Sequence, residues 1–190
     1  MALKLVTDAA SEPVTRAEAA LFMRYTGSLQ NDVIDSLIVA ATRYVQNWCN
    51  TQFVNATFEY YTDSFDCGID LPIGPISSVS SITYQDLDDA TQTLATTVYG
   101  TDLISPVNKI FLKQNQSWPS VLEEPNSIKV SFTAGYGATA ADTPDAAKTA
   151  IKMVVADMFE HREAQGEGVK YEPNQTVMRM MNIVAQNYRF

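Results

Sequence analysis

Histidine, cysteine and, through the middle of the chain, any basic residue are what this 190-residue sequence has least of. The single histidine, His161, excludes a histidine metal cluster and leaves one imidazole for any histidine base. Cys49 and Cys67 have neither the spacing of a zinc knuckle nor that of a redox pair, so both are expected as ordinary reduced thiols. No apolar run approaches the roughly 20 residues that span a bilayer, and the first residues lack the basic and apolar blocks of a signal peptide. The expectation is a chain made in the cytoplasm, with no membrane part.

Between Arg43 and Lys109 there is no Lys or Arg, yet Glu59, Asp63, Asp66, Asp70, Asp86, Asp88, Asp89 and Asp102 all fall there. Removing those eight acids from 22 leaves 14 against 13 basic residues in the flanks, so the net charge of −9 belongs to the middle. A surface of that sign repels a nucleic-acid backbone, which argues against tight, sequence-reading DNA binding. Asp86, Asp88 and Asp89 are the densest acids. A calcium loop would need a glycine and a distal bidentate Glu that do not follow them, so a solvated hairpin tip is the expectation.

The flanks carry helical signals. Residues up to Pro13 read as an extended arm. Thr15 and Glu18 then stand at capping-box spacing and open a short helix that Gly27 closes. Ile34, Leu37, Ile38, Ala41, Val45 and Trp48 recur with the helical period from about Asn31 to Asn50, leaving Arg43, Gln46 and Asn47 for the wet side. Asp142, Thr143, Pro144 and Asp145 open a third helix to Glu163, whose Ala147, Ile151, Val154, Val155, Met158 and Phe159 share one face. It is expected to pack on the Asn31 helix. After a break at Gln165-Gly166-Glu167-Gly168, Asn174 begins a last helix with Val177, Met178, Met181, Val184 and Tyr188 on its apolar side.

The acidic middle is β-rich. Phe58–Thr62, Ile69–Leu71, Val79–Tyr84, Gln92–Leu94, Val98–Tyr99 and Lys109–Leu112 are strand candidates, parted by turn residues at Gly68, Pro72, Gly74, Pro75, Asp86 to Asp89, Ser105 and Pro106. Ile128, Val130 and Phe132 alternate with polar residues and close one small antiparallel sheet; Gly135 and Gly137 end it, both expected at positive φ. The fold class is therefore α+β: a bundle of about four helices with an inserted small antiparallel β-sheet. Residues 1–55 supply the arm and first two helices, 56–134 the β-rich insertion, and 135–190 the last two helices and the tail.

Candidate chemistry is sparse. Gly135-Tyr136-Gly137 has the glycines of a phosphate cradle, yet the helix starts several residues later, no Lys follows, and Asp142 and Asp145 would repel the anion. Ser117-Trp118-Pro119 lacks nucleophile-elbow glycines, so Trp118 reads as an apolar plug at a sheet edge. His161 sits among Asp157, Glu160, Arg162 and Glu163 in a charge-laced last turn; a small hydrolase using it with those carboxylates is the enzymatic alternative. No catalytic, cofactor or metal residue is assigned. Met180 and Ile183 widen the last helix's apolar face; the cluster Met178, Met180 and Met181 serves either as core or as a partner groove, and Tyr188, Arg189 and Phe190 are residue types that anchor interfaces.

In order and spacing, several segments resemble the head-to-tail connector, or adaptor, proteins of long-tailed bacteriophages. They are Glu12 to Ala19, Ile38 to Val45 with Thr51 and Gln52, Leu71-Pro72, Pro75 to Val79, Gln116 to Pro119, Val130 to Gly137, and Pro144 to Glu163. Relatives tend to carry Trp or Tyr where this sequence has Met158-Phe159, and the last helix is the least similar portion. The resemblance implies a virion neck protein and a ring of twelve identical subunits bound to the portal after DNA packaging. That ring would present a platform to a stopper or tail-terminator protein, with DNA only as passing cargo. A stopper or tail-completion role in the same neck is the neighbouring alternative. On this reading the last helix and tail, Met178, Met180, Met181, Tyr188, Arg189 and Phe190, meet the portal, and Asp86, Asp88 and Asp89 line the channel or its rim.

Overall fold

The computed structural model describes residues 1–105, 107–161 and 175–185. Its helical body begins at Thr15, whose hydroxyl accepts the Glu18 N–H at 3.2 Å while the Glu18 carboxylate accepts the Thr15 N–H at 2.8 Å. This reciprocal cap starts α1 (Arg16–Phe22). The long helix α2 (Asn31–Cys49) stops at Asn50, which turns into the left-handed region with φ 49°. α3 (Asp145–Glu160) and α4 (Gln175–Ala185) complete the body. Ile34, Ile38 and Val45 of α2 meet Ile151 and Val155 of α3 and Met181 of α4 in a core that also takes in Phe53. The Gln165 to Gly168 break lies outside the described residues.

Two residues of α2 differ from expectation. Gln46 is buried, only 6% exposed, because Leu3, Leu5 and Phe58 come alongside the flank assigned to water. Trp48 is 44% exposed, since the contact with α3 and α4 centres on the row Ile34, Ile38, Ala41, Val45, Cys49 and leaves Trp48 on its flank.

The insertion forms two antiparallel sheets rather than one. The first has five strands in the order β1 (Ala2–Thr7), β2 (Ala56–Thr62), β8 (Ile128–Ala134), β4 (Ile76–Gln85), β5 (Thr91–Thr93). The second has three, in the order β3 (Ile69–Asp70), β7 (Lys109–Leu112), β6 (Tyr99–Asp102). The expected arm is thus an edge strand, with Leu3 opposite Tyr60 and Lys4 opposite Glu59. The expected closing strand, β8, is central: β2 pairs with it from Ala56↔Ala134 to Thr62↔Ile128, and β4 covers its other side. Phe58, Ile82, Val130 and Phe132 on the inner face share a second core with Ile69, Leu71, Tyr99 and Ile110. Trp118 packs there as the expected plug, its ring stacked on Phe65 with centroids 4.6 Å apart and planes at 3°.

The chain passes between the two cores twice, through 50–55 and 134–139. Backbone bonds lock the passages together: Asn55 N–H donates to Gly137 O at 2.8 Å and Tyr136 N–H to Phe53 O at 3.0 Å, while Gln52 N–H ties the first passage to Gly74 O at 2.8 Å. Gly135 has φ +142°, and a Cβ there would stand 2.5 Å from the Asn55 nitrogen. Gly137 does not share the positive φ expected of it; its constraint is space, since a Cβ would lie 2.3 Å from the Asp142 carboxylate. That carboxylate accepts the Thr139 N–H and hydroxyl, closing a 3-10 turn (Ala140–Asp142) before Pro144, the N-cap of α3.

Candidate interaction surfaces

The last helix divides its methionines between inside and edge. Met181 is 1% exposed and its carbonyl accepts the Cys49 thiol at 3.3 Å, so in the folded subunit Met181 is core. Met178 and Met180 are half-buried against the same core. Met178 borders a cleft of about 150 Å³ shared with Tyr44 of α2 and Met158 of α3, and Ile183 is 54% exposed. Tyr188, Arg189 and Phe190 lie outside the described residues.

Asp86, Asp88 and Asp89 form the turn between β4 and β5. Asp86 builds it, accepting the Asp88 and Ala90 N–H groups at 3.0 Å each and the Gln92 amide at 2.8 Å. These bonds, the Gln92 one foremost, hold its carboxyl below the usual range. Asp89 takes left-handed backbone at φ 61° and accepts the Gln85 amide at 3.1 Å, while Asp88 and Leu87 project, Leu87 being 67% exposed. Elsewhere in the insertion, Glu59 and Asp70 are paired with cations from outside the basic-free stretch, while Asp63 and Asp102 accept bonds from Asn126 and Ser105. Glu59 lies 3.4 Å from Lys129 and 3.8 Å from Lys4, and Asp70 lies 3.8 Å from Lys109. The Tyr61 hydroxyl, donating at 2.8 Å, is the main cause of the lowered Glu59 carboxyl.

His161 caps α3: its backbone N–H donates to Asp157 O at 2.9 Å and its Nδ1 lies 3.3 Å from the Asp157 carboxylate, both side chains about half exposed. Of the other carboxylates in the enzymatic alternative, Glu160 is exposed at the last position of α3 and Glu163 lies outside the described residues, as does Arg162.

A groove of about 320 Å³ between β1 and the C-terminal half of α2 has no counterpart in the sequence reading. Leu3, Leu5, Phe58 and Ile73 give it an apolar side. Arg43, Gln46, Asn47, Asn50 and Gln52 give it a polar one, and among the described residues lining it none is acidic. Arg43 is held in place, donating to Gln46 Oε1 at 2.9 Å and bridging to Asp8. The alternation Ala2-Leu3-Lys4-Leu5 was the signal for this strand and so for the groove's outer wall.

No protein-family model matches the chain. A segment of 50 residues is 52% identical to the head completion protein gp6 of Enterobacteria phage HK97, and covers 26% of this chain and 44% of gp6. The match therefore spans under half the length of that relative. Nearly the whole chain superposes on a chain in the C6-symmetric neck of an empty gene transfer agent particle, with a TM-score of 0.79 at 18% identity, covering 97% of this chain and 95% of that one. Likeness extends to a chain of the native gene transfer agent virion, at TM-score 0.74 and 18% identity over 96% of this chain and 94% of that one. A chain in the C12-symmetric native neck gives 0.72 at 17% identity over 97% and 94%. At these identities the structures establish the α+β fold, and with the gp6 segment they support the head-to-tail adaptor resemblance seen in the sequence.

Proposed function

We infer that the chain is a structural protein of a virion neck: a head-to-tail connector that assembles as a twelve-subunit ring on the portal after DNA packaging and presents a docking platform to the next neck or tail component. The observation that carries this reading is the conjunction of a half-identical segment in a phage head completion protein with a fold shared over nearly the whole chain with neck chains. The function is then one of surfaces, with binding energy drawn from one protein contact repeated around a symmetry axis. The α4 surface at Met178, Met180 and Ile183, continued by Tyr188, Arg189 and Phe190, is proposed to meet the portal. The Asp86, Asp88 and Asp89 tips are proposed to stand at the ring's rim, where their charge keeps passing DNA from adhering. The stopper or tail-terminator protein is the proposed partner on the other face.

Electron microscopy of the full chain mixed with portal-bearing heads tests this. A ring seated on the portal is the expected image; heads that stay bare at saturating protein overturn the reading. Deleting Tyr188 to Phe190 should leave a folded chain that no longer joins filled heads. His161→Ala should leave attachment unchanged, because the bond that caps α3 is donated by its backbone N–H, which alanine keeps.

A further inference from the structure

The groove at β1 and the tip between β4 and β5 match in polarity, an exposed leucine flanked by acids against a cleft with one apolar side and one acid-free polar side, and one subunit cannot bring its own pair together. The sheet order β1-β2-β8-β4-β5 puts them at opposite edges of a five-stranded sheet, four strand spacings or roughly 19 Å apart. The tip is acidic, with Asp86, Asp88 and Asp89 around Leu87, which is 67% exposed. The groove has an apolar side at Leu3, Leu5 and Phe58 and, opposite, amide groups and the Arg43 guanidinium, which is bridged to Asp8 beyond the groove; no acid is among its described lining. Its volume of about 320 Å³ accommodates a leucine side chain with its flanking backbone.

We propose that the occupant of this groove is a second copy of the chain: Leu87 of one subunit seats against Leu3, Leu5 and Phe58 of the next, with Asp88 directed to the polar side formed by Arg43 and Asn47. The proposal rests on the ring reading above, names the surfaces that would close the ring, and moves the Asp88 tip from the open rim assigned to it there to the boundary between two subunits. Tip and groove are different patches, so the contact is heterologous, and each copy offers one of each; such a contact gives a ring where its rotation closes and a filament where it does not, and the ring reading requires the former. The occupant would also cover β1, all six of whose residues are exposed in the single subunit.

Disulfide trapping on portal-bearing heads tests it. In a Cys67→Ser background, which leaves only buried Cys49, the chain carrying Asp88→Cys with Asn47→Cys is mixed with heads and mildly oxidised. Asp88 and Asn47 are both exposed, so these changes leave the fold intact, as a circular dichroism melt matching the parent would verify. The expected result is a ladder of covalent multimers from the double variant, dimers only when the two single variants are mixed, and neither from one single variant alone. Leu87→Ala should weaken each contact on the order of tenfold, from the apolar area it no longer buries. Rings seen on the heads without a ladder would overturn the tip-to-groove contact and leave the ring reading standing. Bare heads with the parent chain would remove the ring reading and this contact together.

Discussion

Two glycines two residues apart show how differently single positions are constrained here. Gly135 needs both a backbone that side chains rarely adopt, φ +142°, and empty space beside Asn55. Gly135→Ala is therefore expected to cost about 1–3 kcal/mol. Gly137→Ala should cost less, because what it meets is the Asp142 side chain, which can move at the expense of its bonds to Thr139. Urea midpoints would rank the two; a larger loss at Gly137 would refute the assignment. That these glycines end a strand was legible from their place after Phe132, whereas the distinction between them depends on Asn55 and Asp142 arriving from elsewhere in the fold. Glu18 makes a pH-dependent contribution. The Thr15 N–H, and after it the Thr15 hydroxyl, lower its carboxyl below the ordinary value of 4.5. A depressed carboxyl stabilises the fold fully above the unfolded value and loses that effect as pH falls through the folded one. Glu18→Gln, which keeps an acceptor but no charge, should lower the melting temperature at pH 7 and make no difference once the pH is below the folded value. A deficit that persists unchanged in acid would contradict this.

Among the elements, the helices were legible and the sheet order was not. α1, α2 and α3 announce themselves through a capping box, a periodic apolar row and a polar run before Pro144, all signals within one segment. Strand pairing is a relation between distant segments, so the sequence placed Ile128–Ala134 at the close of a sheet whose centre it occupies. The first strand reads as an arm in the sequence although Leu3 and Leu5 alternate with Lys4, because six residues before a proline name no partner of their own; β2 supplies one. Missing β1 meant missing the groove and the burial of Gln46. The residues proposed for the portal show the same limit: helical spacing groups Met178 with Met181, but only packing against Cys49 shows that Met181 is internal in the folded subunit. Since β1 pairs on one edge only and every residue of it is exposed, deleting residues 1–8 should leave a cooperative fold. The cost should be about 1–2 kcal/mol, roughly 3–8 °C for a chain this size, as Gln46 gains water and Arg43 loses Asp8. Loss of all tertiary signal on that deletion would mean β1 is required for folding and not merely an edge.

At the scale of the whole molecule, the two cores are unequal in how they depend on each other. The sheet core is drawn from one continuous stretch, Ala56 to Ala134, but the helical core joins Val14 to Phe53 with Ala147 to Ala185 across it. Bringing those two halves together without the insertion folded would close a loop of about 80 residues, at an entropy cost that grows with loop length. The Ala56↔Ala134 pairing removes that cost, since it sets the ends of the insertion side by side and leads straight into the Asn55 to Gly137 bond. The sheet can thus fold ahead of the helices, whereas the helices rely on the sheet. The chain's two tryptophans allow this asymmetry to be observed, because Trp48 belongs to α2 and Trp118 packs on the sheet core. In single-tryptophan variants made with Trp48→Phe or Trp118→Phe, a cavity at Val130, fully buried in β8, should lower the urea midpoint reported by either probe. A cavity at Ile151, fully buried in α3, should cost the Trp48 transition about 2–5 kcal/mol and move the Trp118 transition much less. Equal shifts at both probes from Ile151→Ala would show one indivisible cooperative unit. An unmoved Trp48 transition with Val130→Ala would show helices that hold together without the sheet, and the dependence argued from chain order would be wrong.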